Sequence, residues 1–311
     1  MADELVIAHP NRLNPDTRFA TVSFSGGAWE PDLPLTNLAV ESLSDVARTV
    51  DTAKSSTRFW IDLGQMRDIS VVAIPYLRAY KDGEQVPPPK ATMLRVRAFE
   101  AMSEAADLIA GSDTGWTDLC PVTYPYGSIP AWNPSFVDGK MTDEEWAEIH
   151  SSDTGGMPFW VLYSTPVIAR YWLIELDVVV SGYDALDVPR AVLAPGHQYS
   201  INFAYGAGLS WEDPTIAEQS MGGAEFFEVL NGRMVFRFGI DYLPEDEALT
   251  QVRDMQVNRG VSGQLFAILH PNDTVHRHRR AILCRMRTLP PVEYAAYGRD
   301  KVTFELSQII A

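Results

Sequence analysis

Across residues 91–99 the chain alternates in character. Met93, Arg95 and Arg97 share one face of an extended backbone, and Leu94, Val96 and Ala98 share the other. A period of two predicts a half-buried β-strand, not an amphipathic helix. The signal recurs in other forms. Residues 58–64 begin apolar and end at glycine, and residues 68–75 are rich in β-branched side chains and stop at proline. Residues 158–164 and 170–178 are apolar almost throughout, which predicts central strands covered on both faces. A chain built from such runs is expected to be mainly β.

Further along, residues 224–230, Asn231-Gly232 and residues 233–242 predict a hairpin. Asn-Gly supplies the positive φ that both central positions of a type I′ turn require. Pro244 is then placed to open a helix, with Glu245, Asp246 and Glu247 favourable at the positive end of its dipole. Leu249, Val252 and Met255 follow at helical spacing, and Gly260 is the expected end. Three more strands are expected at residues 264–270, 281–287 and 301–309. Between residues 111 and 156 the composition shifts to Pro, Gly, Ser and Asp. Thr142 and Glu145 form a capping box there, opening a short helix with Trp146 and Ile149. A loop this long usually serves function or an interface.

With 311 residues, two domains are expected. The organisation predicted is an N-terminal arm (1–19), a β-sandwich (20–195) with its long loop 111–156, and a smaller mixed β domain (196–311) with one packed helix. Pro189 and Pro195-Gly196 mark the boundary.

Net charge −16 and a pI near 4.7 repel phosphate backbones and anionic lipid, so neither nucleic acid nor a membrane surface is an expected partner. No apolar run approaches the roughly 18 residues of a membrane span, and the acidic N-terminus does not read as a signal peptide. The two cysteines, Cys120 and Cys284, lie far apart and give no disulfide framework, which suits a reducing cytoplasm.

Two sets of segments look familiar. Thr57-Arg-Phe-Trp-Ile-Asp-Leu-Gly64, the strand at 71–75, Leu94-Arg-Val-Arg-Ala98 and Arg170-Tyr-Trp-Leu-Ile-Glu-Leu176, in that order, resemble the discoidin-like, galactose-binding-type jelly-roll sandwich. Residues 111–118 are similar to the element that follows the middle strand in phage versions of that domain. Residues 204–213, 222–227, 233–243, 257–264 and 269–274 resemble the tail-tube-like or distal-tail-like β domain of minor tail proteins of long-tailed bacteriophages. Together these cover about residues 20–310.

The resemblance implies a structural component of the tail tip or baseplate, in a homo-oligomeric ring or beside it. Tail tube, hub and neighbouring baseplate subunits would be its partners. It would be assembled in the host cytoplasm and carried in the virion. The domain order departs from the usual distal tail protein, in which the accessory domain follows the ring-forming one.

Signatures of chemistry are sparse. His270, His276 and His278 lie near Asp273, but Arg277, Arg279 and Arg280 crowd them with positive charge. A solvated basic edge, or a salt-bridge surface for an acidic neighbouring subunit, is expected there in preference to a metal site. Asp143, Glu144 and Glu145, like Asp241 and Glu245 to Glu247, read as acids at helix starts. A paired-carboxylate glycosidase is the weakest reading. There is no Gly-x-Ser-x-Gly elbow and no phosphate-binding glycine loop, and no cofactor or catalytic residue is expected. Cys120 reads as an inert thiol.

Two surface candidates remain. The loop aromatics Trp116, Tyr124, Tyr126, Trp132 and Phe136 are suited to a protein interface or to stacking on a host glycan, and equally to a satellite core. Asn231, Gly232, Leu249, Val252 and Met255 are the expected ring contacts. A structural subunit is thus the first expectation, and a glycan-binding adhesion module the alternative.

Overall fold

A computed structural model describes residues 5–14, 21–124, 127–133, 135, 137–150, 156–273 and 275–310. The chain is mainly β, as the alternating runs require. Its first unit is a sandwich of two antiparallel sheets. One sheet runs in the order Val192–Ala194, Arg58–Ile74, Phe159–Val178, Thr92–Phe99, Thr117–Asp118, with Ser23–Ser25 also on Arg58–Ile74. The other runs Ala47–Arg48, Ala185–Val188, Arg78–Lys81, Glu84–Val86. Leu94, Val96 and Ala98 point into the core between the sheets, as their alternation predicts.

The runs at 58–64 and 68–75 form one strand of 17 residues, and those at 158–164 and 170–178 form one of 20. Their mutual register shifts between Asp62 and Arg67 and again between Ile69 and Val71. Bulges let a glycine and its neighbours stay in the ladder. Gly64 takes φ +73°. The Asp62 carboxylate accepts from its backbone N–H at 2.7 Å and from Arg170 Nε and Nη2 at 2.6 and 2.8 Å.

The second unit is an eight-stranded sheet in the order Gly196–Gln198, Val6–Ala8, Leu265–Ile268, Ala281–Met286, Arg299–Gln308, Arg233–Pro244, Gly208–Glu212, with Glu293–Ala296 on Arg299–Gln308. Residues 5–14 are therefore no arm. Val6–Ala8 is an interior strand, and Asn11 stitches the following turn to the backbone of Ala191 and Leu193. The run is too short to carry a periodic signal of its own. Between Ala194 and Gly196 the chain leaves the sandwich sheet for the second one.

The expected helix follows Pro244, but its middle, Ala248–Arg253, is π-helical between Glu245–Glu247 and Asp254–Arg259. Ala248, Val252 and Met255 pack inward against Phe236, Phe238 and Phe304. The Phe238 and Phe304 rings stack at 5.0 Å. Among the described residues no helix is long and apolar enough to cross a membrane.

A third core joins the units. Val6, Ala8, Phe266, Ile268 and Leu283 pack against Val71, Ala73, Trp160 and Ala194. This explains why the strands around Val71 and Trp160 are apolar on both faces: one face lines the sandwich and the other meets the second sheet. Tyr76 Oη donates to the Ile309 carbonyl at 2.6 Å across the same seam.

Candidate functional site

The strand Gly208–Glu212 pairs with Arg233–Pro244 only as far as Glu212 and Arg233. Beyond that point the two chains leave the sheet together. Asp213 Oδ1 accepts from Thr215 N at 2.9 Å, turning the chain at Pro214. Ile216–Gln219 then pairs with Glu225–Glu228 as a free ribbon. Its turn lies at residues 220–224, where Gly223 adopts φ +83° and donates its N–H to Ser220 O at 2.9 Å.

This corrects the hairpin expected at Asn231-Gly232. Gly232 does not take positive φ there, and it is needed for a different reason. A Cβ on it would lie 2.2 Å from the Trp211 indole nitrogen, so glycine permits the indole to lie against the backbone.

The ribbon, an arm spanning residues 213–230, is the least covered part of the described chain. All eight ladder residues are exposed. Paired residues share a face, so Ile216, Glu218, Phe226 and Glu228 lie on one side and Ala217, Gln219, Glu225 and Phe227 on the other. Each face thus carries one phenylalanine and at least one acid, with Phe226 at 63% and Phe227 at 60% exposure. The arm has four acids and no Lys or Arg.

Beside the root of the arm lies a cleft of about 540 Å³, between the edge strand Gly208–Glu212 and the helix Asp143–Ile149. Leu209, Trp211, Met234 and Ile282 form its sheet wall, and Met141 and Ile149 its helix wall. Tyr124, Glu145, Glu148, His276 and Arg279 also line it, and Glu148, His276 and Arg279 are exposed.

Glu145 is held in place. Its carboxylate accepts from Thr142 N at 2.8 Å, completing the capping box, and from Tyr124 Oη at 2.6 Å. The tyrosine hydrogen bond is the main reason its pKa lies below the ordinary glutamate value. Asp143 pairs with Lys90 at 2.7 Å. These acids act as helix-start and surface groups.

The loop aromatics are not gathered into one platform. Trp116 lies under Lys54, whose Nζ is 3.8 Å from the ring centroid. Tyr124 lines the cleft, and Trp132 stands 82% exposed. Tyr126 and Phe136 fall outside the described residues. Among the other expected contacts, Val252 and Met255 are fully buried beneath their helix, on the face they share with Ala248. They are core residues and not ring contacts. Leu249 faces solvent at 40% exposure.

The basic loop is also different from the solvated edge expected. Arg277 is part-buried, donates to the Trp160 carbonyl and stacks 3.9 Å from that indole. Desolvation lowers its pKa to about 10. Arg280 pairs with Asp273 at 2.8 Å, and His276 and Arg279 are exposed. Both cysteines are buried, and burial raises their pKa values. Among the described residues no group of three or more His, Cys, Asp or Glu is placed to hold a metal.

Sequence reasoning passed over Leu209, Trp211, Met234, Phe226 and Phe227 as site residues. The arm did leave a trace: Glu225-Phe-Phe-Glu228 places an acid and a phenylalanine on each face, so neither face suits a core.

No family model matches the sequence, and no curated protein matches it. Among solved structures, the chain is similar to the family 32 carbohydrate-binding module from C. perfringens NanJ in complex with galactose. That match has 11% identity and a TM-score of 0.34, and covers 56% of this chain and 93% of that one. It is similar to CBM32-1 from a family 31 glycoside hydrolase of Clostridium perfringens, at 12% identity and a TM-score of 0.33, over 60% of this chain and 100% of that one. It is also similar to a Ruminococcus gnavus GH29 fucosidase in complex with fucose, at 13% identity and a TM-score of 0.36, over 60% of this chain and 27% of that one.

Proposed function

We propose that this chain is a non-enzymatic structural subunit of a multi-protein assembly, the tail tip or baseplate of a long-tailed bacteriophage. The observation that carries the assembly role is the arm. A two-stranded ribbon alone is at best marginally stable in water. This one exposes Phe226 and Phe227 on opposite faces, with Met221 at the turn fully exposed. Large apolar side chains gathered exposed on one thin ribbon suit a protein contact. The tail location rests on the sequence resemblance of residues 204–274 to minor tail proteins. The strong negative charge of the chain suits crowded, ordered assembly, because it disfavours random association.

The test is to determine the mass and shape of the purified chain in solution, and to label tails with an antibody against it. Rings or defined oligomers, with label at the distal end of the tail, are expected. A monomer at every concentration, absent from particles, would overturn the proposal.

A second reading is glycan recognition. Trp132, 82% exposed on the long loop, offers a ring face of the kind that stacks on sugars. Glycan-array binding abolished by Trp132→Ala would support it, and array silence would remove it.

A further inference from the structure

We infer that the edge strand Gly208–Glu212 pairs with the same strand of a second copy, antiparallel about a two-fold axis at Ser210, so that the two eight-stranded sheets run on as one. The inference rests on the assembly reading above and names one of its contacts.

The strand is bare where a second copy needs it to be. It ends its sheet, and among the described residues nothing pairs with its outer edge. The cleft of about 540 Å³ lies along one of its faces, and a second of about 380 Å³ along the other. A Cβ on Gly206 or Gly208 would meet no atom within 4 Å. An unpaired row of N–H and C=O groups is a template for another chain, and sheet proteins usually guard it with lysine, proline or a bulge. Gly208-Leu-Ser-Trp211 has none of these.

The core of the second unit also runs out to this edge uncapped. Met286, Leu306, Phe236 and Leu209 stand in one row across four strands. The first three are buried, and Leu209 is 48% exposed. Trp211, on the same face, is 52% exposed. An apolar row that stops at an open edge is completed by an apolar side chain directly opposite on a further strand.

A second copy is selected because the strand is its own complement. With the axis at Ser210, that serine opposes its counterpart, Leu209 opposes Trp211 of the second copy, and Gly208 opposes Glu212. Both Leu–Trp pairs fall on the face of Phe236 and Leu306, so each copy caps the open row of the other. No like charges meet. Glu212 is the one acid of the strand; it faces a glycine, and its carboxylate is already held by Arg233 at 2.8 Å and Arg287 at 3.2 Å. Moving the axis to Trp211 would set Leu209 against Asp213, and moving it to Leu209 would set Trp211 against Ala207, outside the strand.

The chain before the strand leaves room for this register. Gly206 and Ala207 are small, and they lie opposite Pro214 and Asp213 of the second copy, where its arm departs. The two arms leave at opposite ends of the pair and stay free for contacts of their own. The contact is isologous, so it closes at two copies.

The experiment uses single-cysteine versions of the full chain under mild catalysed oxidation, with mass measured over a range of concentration in salt that screens the net charge. The native Cys120 and Cys284 are buried and stay silent. Opposed residues on antiparallel strands lie about 4.5–5.5 Å apart at Cα, within the span of a disulfide. Ser210→Cys is therefore expected to form a covalent dimer with itself. Leu209→Cys should join Trp211→Cys when the two are mixed, but not join itself, since that diagonal is about 7–8 Å. Leu209→Lys added to Ser210→Cys should remove the covalent dimer and weaken association about tenfold or more. Lys81→Cys, on the far sheet of the sandwich, should form none. Oligomers that form while Ser210→Cys stays unlinked would overturn this inference and leave the assembly reading standing. So would Leu209→Cys joining itself as readily as it joins Trp211→Cys. A monomer at every concentration would overturn both.

Discussion

Phe266 and Phe227 are the same side chain on strands of one β unit, yet Phe266 is 1% exposed and Phe227 60%. Phe266 lies in the seam where the second sheet packs on the sandwich, among Val71, Trp160 and Ala194. Phe227 lies on the arm, with an acid beside it on its own face and no protein over it. The difference is one of pattern. The seam is built from strands with consecutive apolar residues, so that both faces are covered within one copy. The arm divides its two phenylalanines between faces and adds acids to each, which leaves no face for its own core. Burial within the chain makes the first region stable alone, and the second region has no such cover.

The seam should be the more costly to damage. Phe266→Ala removes a fully buried ring and leaves a cavity, which costs about 3–5 kcal/mol. Urea unfolding should show this as a lower midpoint with one cooperative transition, because the third core ties the two units together. Two separate transitions in the wild-type chain would break the comparison at its root.

A smaller effect is expected at Arg277, which donates to the Trp160 carbonyl and stacks on its indole across the same seam. Arg277→Met keeps much of the volume and loses the hydrogen bond and the stack. The cost should be about 1–3 kcal/mol, read in the same unfolding experiment. An unchanged midpoint would mean that the guanidinium contributes nothing to the seam.

Acid should act on the same region. His9 follows the interior strand Val6–Ala8, with its ring 4.9 Å from that of His197. Burial, and then the neighbouring His197, Arg259 and Arg12, lower its pKa from 6.5 to about 3. In the unfolded chain His9 takes up a proton as pH falls below 6.5, while in the folded chain it stays neutral until about 3. Stability is therefore full above 6.5 and declines as pH falls through that window. The loss should be about 1–2 kcal/mol by roughly pH 5. His9→Gln should flatten this part of the pH–stability curve; a curve of unchanged slope would assign the acid sensitivity elsewhere.

These expectations separate what the sequence shows from what only the fold shows. Alternation across 91–99 and the capping box at Thr142 and Glu145 are legible because each depends on near neighbours in sequence. Asn231-Gly232 misleads for the opposite reason. As a dipeptide it favours a tight turn, but Gly232 serves the approach of Trp211, set by a strand twenty residues earlier. Val6–Ala8 is three residues long and gains its place only through Leu265–Ile268 and Gly196–Gln198. The helical spacing of Leu249, Val252 and Met255 is read correctly as a helix and wrongly as one face, since the buried face is that of Ala248, Val252 and Met255 and Leu249 lies off it. The cleft is illegible altogether: Met141, Leu209, Met234 and Ile282 are apolar positions in four separate segments, and nothing local distinguishes them from core.

The arm supplies the smallest expected effect on the fold and the sharpest form of the contrast. Phe226→Ser with Phe227→Ser replaces two exposed rings that contribute little to the core of their own copy. Stability of the isolated chain should change by no more than about 0.5 kcal/mol for each substitution. The same pair of changes removes the two aromatic anchors that a partner would cover, and aromatic anchors dominate the energetics of protein contacts. Oligomer mass should therefore fall while the unfolding midpoint, measured under conditions where the chain is monomeric, stays in place. Phe266→Ala should do the reverse, lowering the midpoint without removing any surface that a second copy would touch. If the arm variant instead unfolds as readily as the seam variant, the phenylalanines belong to the protomer's own core, and the contrast between the two regions is lost.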